Sequence, residues 1–438
     1  MNQTVEKGKT LMVDGPASVM VTSGRVEAFG SVVAGSGKIV VREGKRLPLA
    51  VEETATFDIS LGENASVEEV DGNTIPSSWA ASSQQLLELE ARPATAVVLG
   101  AVDSGKTSLC TYLINKALNK KRKVAVLDGD LGQSDIGPPS TVAYALVTKP
   151  ITDLFNLQAK NAFFIGDTSP SKAADKTIEG LVSLKKEILD YKPDVVIINT
   201  DGWIDGECAV NYKTQLVEQL NPNVIFCVQQ KDELAPLLKT LDKFKTLTAD
   251  SPAAIRQRDK ERRKDLRELG YKKYLRNTKV QSLSLNWLKV EGNEPFGLCN
   301  TRLSNSQARK IYELLGMKPL YVSDLNDKIS VVIGRRRWIS SENIKKVEEF
   351  MKKRVVVTRK GEEEGLLTAM YDGARKFLGI GVLQEIDYLR KAVKICTPVS
   401  GEISVLALGK VKLDKNMKEI PVTLEENQLD FASFKSLF

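Results

Sequence analysis

Eight consecutive residues constrain this chain more than any others: Gly100-Ala101-Val102-Asp103-Ser104-Gly105-Lys106-Thr107 spell a complete G-x-x-x-x-G-K-[ST] phosphate-binding loop. Such a loop needs a strand before it and a helix after it, and both are present. Ala96-Val97-Val98-Leu99 has the length and β-branched content of a buried strand, and Ser108 to Asn119 carries Leu109, Leu113 and Leu118 in a helical run. Gly100 and Gly105 let the backbone curl so that successive N–H groups point at phosphate oxygens, and the helix opening at Ser108 adds its positive end. In this motif Lys106 reaches the β- and γ-phosphates and Thr107 ligates Mg²⁺. Residues Gly100 to Ser108 are therefore the candidate cradle for a nucleoside triphosphate.

A length of 438 residues exceeds what one hydrophobic core organises, so two or three domains are expected. The N-terminus has no basic stretch leading into an apolar one, and no run approaches the ~18 apolar residues of a membrane span, which points to the cytoplasm. The cysteines, Cys110, Cys208, Cys227, Cys299 and Cys396, are far apart and form no C-x-x-C. They read as buried small apolar side chains rather than a zinc site or a disulfide framework. Histidine is absent. A general base must then be a carboxylate, lysine, tyrosine or cysteine, and His-ligated metals are excluded.

Residues 1–88 contain short β-like stretches, such as Ala17 to Thr22 and Thr56 to Leu61, between turns such as Asp14-Gly15-Pro16. They read as a small all-β domain. Residues 89–319 alternate strands (96–99, 123–127, 194–199, 223–228) with helices (106–119, 176–190, 209–220), the pattern of a mostly parallel sheet with ligand at the carboxyl ends of its strands. Residues 320–438 read as a smaller mixed or mainly β domain with a helix near 341–353.

Several clusters fall on the functional edge of the central domain. Asp128-Gly129-Asp130-Leu131-Gly132-Gln133 ends the second strand with two carboxylates that can hold Mg²⁺, directly or through water, or accept a proton. Thr200-Asp201-Gly202-Trp203 puts a Trp in a turn at a strand end, where it can stack on a base. Between 251 and 278, ten cationic side chains face four acidic ones, a surplus of six against a chain total of +7. This stretch reads as a helical lid whose arginines stabilise a transferring phosphoryl group, or as a solvated helix face. Arg335-Arg336-Arg337-Trp338 leaves two readings open, a nucleic-acid surface or a basic turn beside a core Trp.

Together, Gly-x-x-Asp-x-Gly-Lys-Thr at 100–107, Asp-x-Asp-x-Gly-Gln at 128–133, Gly-Asp-Thr-Ser-Pro at 166–170, Thr-x-Gly-Trp at 200–203 and the basic lid resemble the polynucleotide 5′-hydroxyl kinases. That family includes the RNA kinase subunit of eukaryotic messenger-RNA 3′-end processing and the ribosomal-RNA processing kinases, and the likeness is greatest to its archaeal members. The resemblance implies ATP and Mg²⁺ as cofactors and a 5′-hydroxyl end of RNA, or DNA, as partner. It implies that Lys106 and Thr107 bind phosphate and metal, that Asp130 is the general base, and that Asp128 supports the metal's water shell. Gln133 would contact substrate or metal, the clasp from Thr200 through Gly202 to Trp203 would bind substrate with Trp203 against a terminal base, and Arg258, Arg263 and Arg267 would act from the lid. Five residues on an ideal helix is about 140° of rotation, so Arg258 and Arg263 meet one phosphate chain only across a bend, and Arg262 competes with Arg263. Adenine contacts are sought around Gly24 to Gly30.

The expected fold is α/β, a central P-loop NTPase domain with a mostly parallel sheet between an all-β N-terminal domain and a mixed C-terminal one. The expected activity is transfer of the γ-phosphoryl group of ATP to the 5′-hydroxyl of RNA. The alternative is an ATP-binding, catalytically silent scaffold of an RNA-processing complex. A metal-insertion or GTP-switch protein of the same branch lacks the clasp.

Overall fold

Every residue of the strand Ala94–Gly100 (β1) is buried, as are all residues of Val124–Gly129 (β2) and Val195–Thr200 (β5). Continuous apolar runs of this kind need cover on both faces, which helices supply in a parallel sheet. The computed structural model, which describes residues 1–33, 35, 37–292, 303–325 and 328–420, bears this out. With Thr141–Val147 (β3), Asn161–Phe164 (β4), Val224–Gln229 (β6) and Thr246–Asp250 (β7), the sheet runs β4-β3-β2-β5-β1-β6-β7. Four neighbouring pairs are parallel, and β3 and β4 add an antiparallel edge. The helices Lys106–Asn119 (α1), Ala174–Leu189 (α2) and Glu207–Leu220 (α3) follow, burying Leu109, Leu181 and Leu216 among others.

Parallel register fixes where the loops meet. Asn199 lies opposite Asp128 and Thr200 opposite Gly129, while Val228 lies opposite Gly100. The segments leaving β1, β2 and β5 therefore start at one edge.

The chain divides into two compact units, Met1–Tyr271 and the residues from Lys272 onward. The first also contains a seven-stranded antiparallel sheet built on the long strands Ala17–Ala28 and Arg46–Leu61, followed by the helix Ser77–Leu87. It is joined to α1 by polar contacts. Asn115, fully buried, donates to the carbonyls of Phe29 and Ile151 at 2.8 Å each and accepts from the Ile151 amide at 2.9 Å. Asn119 donates to the Gly30 carbonyl at 2.8 Å.

Among its described residues the second unit holds a seven-stranded sheet and a three-stranded one. The small sheet includes the parallel pair Lys328–Ile333 (β8) and Arg354–Arg359 (β9), with Asn305–Leu315 and Ser341–Met351 as its helices.

Three expectations need correction. The basic stretch is helical only over Lys260–Tyr274 (α4); residues 251–259 are non-helical, as Pro252 and the contacts of Arg258 below require. Cys208 is exposed and Cys396 half-buried, so only Cys110 and Cys227 behave as core residues, and Cys299 lies outside the described residues. The antiparallel edge β3–β4 and the helix Asn305–Leu315 were not anticipated. Among the described residues no helix is long and apolar enough to cross a membrane.

Asn115→Ala is expected to destabilise the first unit by about 2–4 kcal/mol, because it leaves two carbonyls and an amide buried without partners. Urea unfolding measures it. A loss below about 0.5 kcal/mol would mean that the two sheets are not held through this residue.

Candidate active site

The edge where β1, β2 and β5 end opens into a cavity of about 670 Å³, within the range of small-ligand sites. Its floor is the phosphate loop. Gly105 has φ +101°, a conformation suited to glycine, and hands directly over to α1. Lys106 is 6% exposed and its Nζ folds back to donate to the loop's own Ala101 carbonyl at 2.6 Å. Burial lowers its ammonium to about 8, opposed by the charge of Asp130. Ser104 Oγ is buried with no hydrogen-bond partner among the described residues. A short-tethered ammonium and an unsatisfied hydroxyl in a glycine-turned cradle are the donor set that phosphate oxygens complete.

Behind the loop, Asp128 is fully buried. One oxygen accepts from Asn199 at 3.0 Å and from the Asp130 amide at 3.3 Å, and the other from the Asp135 amide at 2.8 Å and the Ile136 amide at 3.3 Å. Asp128 thus shapes the 129–136 loop, while burial, with Asp135 and Asp130 nearby, pushes its carboxyl up to about 7. Asp130 lines the cavity. Its Oδ1 accepts from the Gly132 and Gln133 amides at 3.0 and 2.9 Å, and Oδ2 has no partner among the described residues. Burial raises the Asp130 carboxyl, with Lys106 opposing and Asp201 adding to the rise. Thr107 Oγ1 receives a hydrogen bond from Asn199 at 3.4 Å. Among the described residues no three acidic or thiol side chains are arranged to hold a metal ion by themselves. A Mg²⁺ here would rest on Thr107, Asp130, water and ligand phosphates, the mode usual for that ion.

The third loop is held from below. Asp201, 4% exposed, accepts from the Trp203 amide at 2.9 Å, the Tyr212 hydroxyl at 3.0 Å and the fully buried Lys213 ammonium at 2.8 Å. Trp203 is stacked on Tyr212 with centroids 5.6 Å apart and lines the cavity. Gly202 is required by close approach, since a Cβ there would lie 2.6 Å from the Val102 amide nitrogen. Thr200 faces elsewhere: it is buried, and its hydroxyl donates to the Val98 carbonyl at 2.8 Å.

The lid closes on the phosphate loop through Asp103. This residue has φ +55°, a left-handed conformation that Asp tolerates better than most. Its carboxylate accepts from Arg258 through the backbone amide (2.9 Å), Nε (2.9 Å) and Nη2 (2.6 Å), and Arg263 lies 3.5 Å away. Arg258 precedes α4 and Arg263 is on it, so the bend between them brings both guanidinium groups to one carboxylate. Arg262 also lines the cavity but pairs with Glu43 at 3.0 Å rather than with Asp103. Gln133 donates to the Arg263 carbonyl at 2.9 Å, and Arg267 also lines the cavity.

The far wall was not anticipated. It comes from the segment Arg42 to Arg46; of the residues from Gly24 to Gly30, only Phe29 reaches the cavity. Arg42 bridges Asp135 and Asp153, and Lys45 pairs with Asp135 at 3.0 Å. A signal existed in Arg42-Glu43-Gly44-Lys45-Arg46, a charged glycine turn between two strands.

Two outcomes test this geometry. Asp103→Ala should quicken amide hydrogen exchange across 256–266 while leaving β1 protected, because the lid loses its anchor; equal protection in both proteins would remove the latch. ATP affinity should fall as pH rises through about 8, since the charged Lys106 binds phosphate and the free protein loses that charge there. Calorimetry would then record uptake of one proton on binding above that pH, and a flat profile to pH 10 would contradict the assignment.

Residues 100–277 match the family model described as mRNA cleavage and polyadenylation factor CLP1 P-loop. The chain is 27% identical over 337 residues to a polyribonucleotide 5′-hydroxyl-kinase of Methanocaldococcus jannaschii, covering 75% of this chain and 90% of that one. It is 28% identical over 353 residues to a polyribonucleotide 5′-hydroxyl-kinase of Pyrococcus furiosus, covering 80% and 95%. A CLP1 homolog of Brugia malayi is 26% identical over 295 residues, covering 62% and 67%. Among solved structures, that of a wild-type Clp1p–Pcf11p complex superposes with a TM-score of 0.64 at 15% identity, covering 94% of this chain and 97% of the other, which shows a shared fold.

Proposed function

We propose, from the match of residues 100–277 to the CLP1 P-loop family model and from the geometry of the cavity, that the protein is an ATP-dependent polynucleotide 5′-hydroxyl kinase acting on RNA. The observation that carries the proposal is a single cavity that holds Lys106, Asp130, Trp203 and the lid arginines Arg258 and Arg263. A protein that only stores nucleotide needs neither a carboxylate with a vacant oxygen nor a base platform beside its phosphate loop.

In the proposed reaction the 5′-oxygen of the RNA attacks the γ-phosphorus. Its proton passes to Asp130 Oδ2, the new O–P bond forms, and the bond to the β–γ bridging oxygen breaks to release ADP. Burial raises the affinity of Asp130 for that proton. Lys106, lying between the loop carbonyl and the cavity, holds the β- and γ-phosphates, and Mg²⁺ at Thr107 would neutralise charge on their oxygens. Arg258 and Arg263 are already paired with a carboxylate and exchange that anion for the transferred group as charge spreads over it. Trp203 stacks on the terminal base, held at the right height by Asp201, Tyr212 and Lys213. Asp128 acts one step removed, by folding the loop that carries Asp130.

The test is incubation of the full chain with γ-labelled ATP and a 5′-hydroxyl oligoribonucleotide. Label transfer is expected, with loss of activity in Lys106→Ala. Asp130→Asn should lower turnover by roughly 10²–10⁴-fold while ATP binding persists. ATP binding without transfer by the unaltered protein would favour the scaffold reading.

A further inference from the structure

Arg335-Arg336-Arg337-Trp338 takes no part in the cavity, and the structure removes one of the two readings its sequence left open. Trp338 is not a core residue: it is 60% exposed, and all three arginines are exposed as well. The four residues lie in the turn between β8 and the helix Ser341–Met351, which leads back to β9. Ile333 at the end of β8 is in register with Arg359 at the end of β9. The turn and Arg359 therefore share the carboxyl edge of a parallel pair, the place where open α/β sheets receive ligands.

Two details give the edge a ligand chemistry. The Arg359 guanidinium carbon lies 4.0 Å from the centroid of the Trp338 ring, a cation–π contact that holds the indole in place while most of it stays in water. Acidic neighbours cancel some of the positive charge: Glu362 approaches Arg359 at 3.4 Å and Glu385 approaches Lys360 at 3.0 Å. They do not reach the triplet, since among the described residues none of Arg335, Arg336 and Arg337 is in an ion pair. The result is an immobilised, solvent-facing aromatic beside three uncompensated guanidinium groups.

We propose that this turn is a second binding surface for single-stranded RNA, with Trp338 as the platform for one base and Arg335, Arg336 and Arg337 as contacts to neighbouring phosphates. An aromatic platform needs an unstacked base, which a single strand offers and a duplex does not, and it tolerates any sequence. The choice of RNA rests on the kinase reading; the chemistry of the surface rests on the residues alone.

Fluorescence anisotropy tests it with the full chain and a 5′-phosphorylated, 3′-labelled single-stranded RNA of about 20 nucleotides, which spans several stacking and phosphate contacts and cannot accept a phosphoryl group. Trp338→Ala should weaken binding about fivefold to a hundredfold, Trp338→Phe should restore much of it, and a duplex of equal length should bind both proteins alike. Replacing Arg335, Arg336 and Arg337 together by Ala should lower the slope of log affinity against log salt by about 2, at roughly 0.7 per phosphate contact. Phosphorylation of a 5′-hydroxyl dinucleotide by these variants should stay at the unaltered rate, which also shows that they fold. Unchanged RNA affinity in Trp338→Ala overturns the proposal, as does an equal loss for single strand and duplex. A chain whose RNA binding depends on Trp338 but which transfers no phosphate would overturn the kinase reading and leave this surface standing; an active kinase insensitive to Trp338 would do the reverse.

Discussion

Everything at the site depends on three parallel strands stopping together. Hydrogen bonding between β1, β2 and β5 aligns their last residues, and each then releases a different loop at the same height: the phosphate cradle, the segment bearing Asp128 and Asp130, and the segment bearing Asp201 and Trp203. A one-residue slip would turn every side chain of a strand to its opposite face, where it would have to repack against the other helix layer. The rigid part of the protein therefore sets the distances between groups that arise nearly a hundred residues apart. Gly202 marks how tight the convergence is, since the first and third loops approach too closely for a β-carbon.

The sequence revealed the central sheet because its strands are unbroken apolar runs and its helices have clear faces. Predicted helix 106–119 and observed Lys106–Asn119 coincide. β3 and β4 were missed because they follow Pro138-Pro139 inside a stretch read only for its loop motifs, although Thr141–Val147 is as apolar as its neighbours. The lid was seen as charge and its shape misjudged. Composition suggested one long basic helix, whereas Arg258 lies in non-helical chain and is held there by three hydrogen bonds to Asp103. That contact joins residues 155 positions apart, which no local pattern encodes.

Side-chain placement was readable where motif spacing alone fixes it, as for Lys106 and Thr107 in the phosphate loop, and less so where burial decides. Asp128 and Asp130 differ by two positions and look equivalent on paper. In the fold one carboxylate is consumed by four donors and the other keeps an oxygen for the cavity. Thr200 and Trp203 diverge likewise, the first turned into the sheet and the second toward the opening. The segment from Arg42 to Arg46 was legible only as a charged glycine turn; its place in the cavity wall depends on which face of the N-terminal sheet meets α1, a matter settled by Asn115 and Asn119.

The ion pairs of Arg42 and Lys45 with Asp135 and Asp153 also bear on how the first unit holds together as one piece. Asp135 and Asp153 belong to the nucleotide-binding part, yet they are nearly buried and their counter-ions come from the N-terminal sheet. The central sheet taken alone would leave these two carboxylates without their counter-ions, and the N-terminal sheet taken alone would leave two cations without theirs. Separating the two parts therefore strands ions on surfaces that were nearly buried, a cost that neither part escapes. The N-terminal sheet is in this sense a structural component of the nucleotide-binding part, and a core cut free of it would need other residues at Asp135 and Asp153.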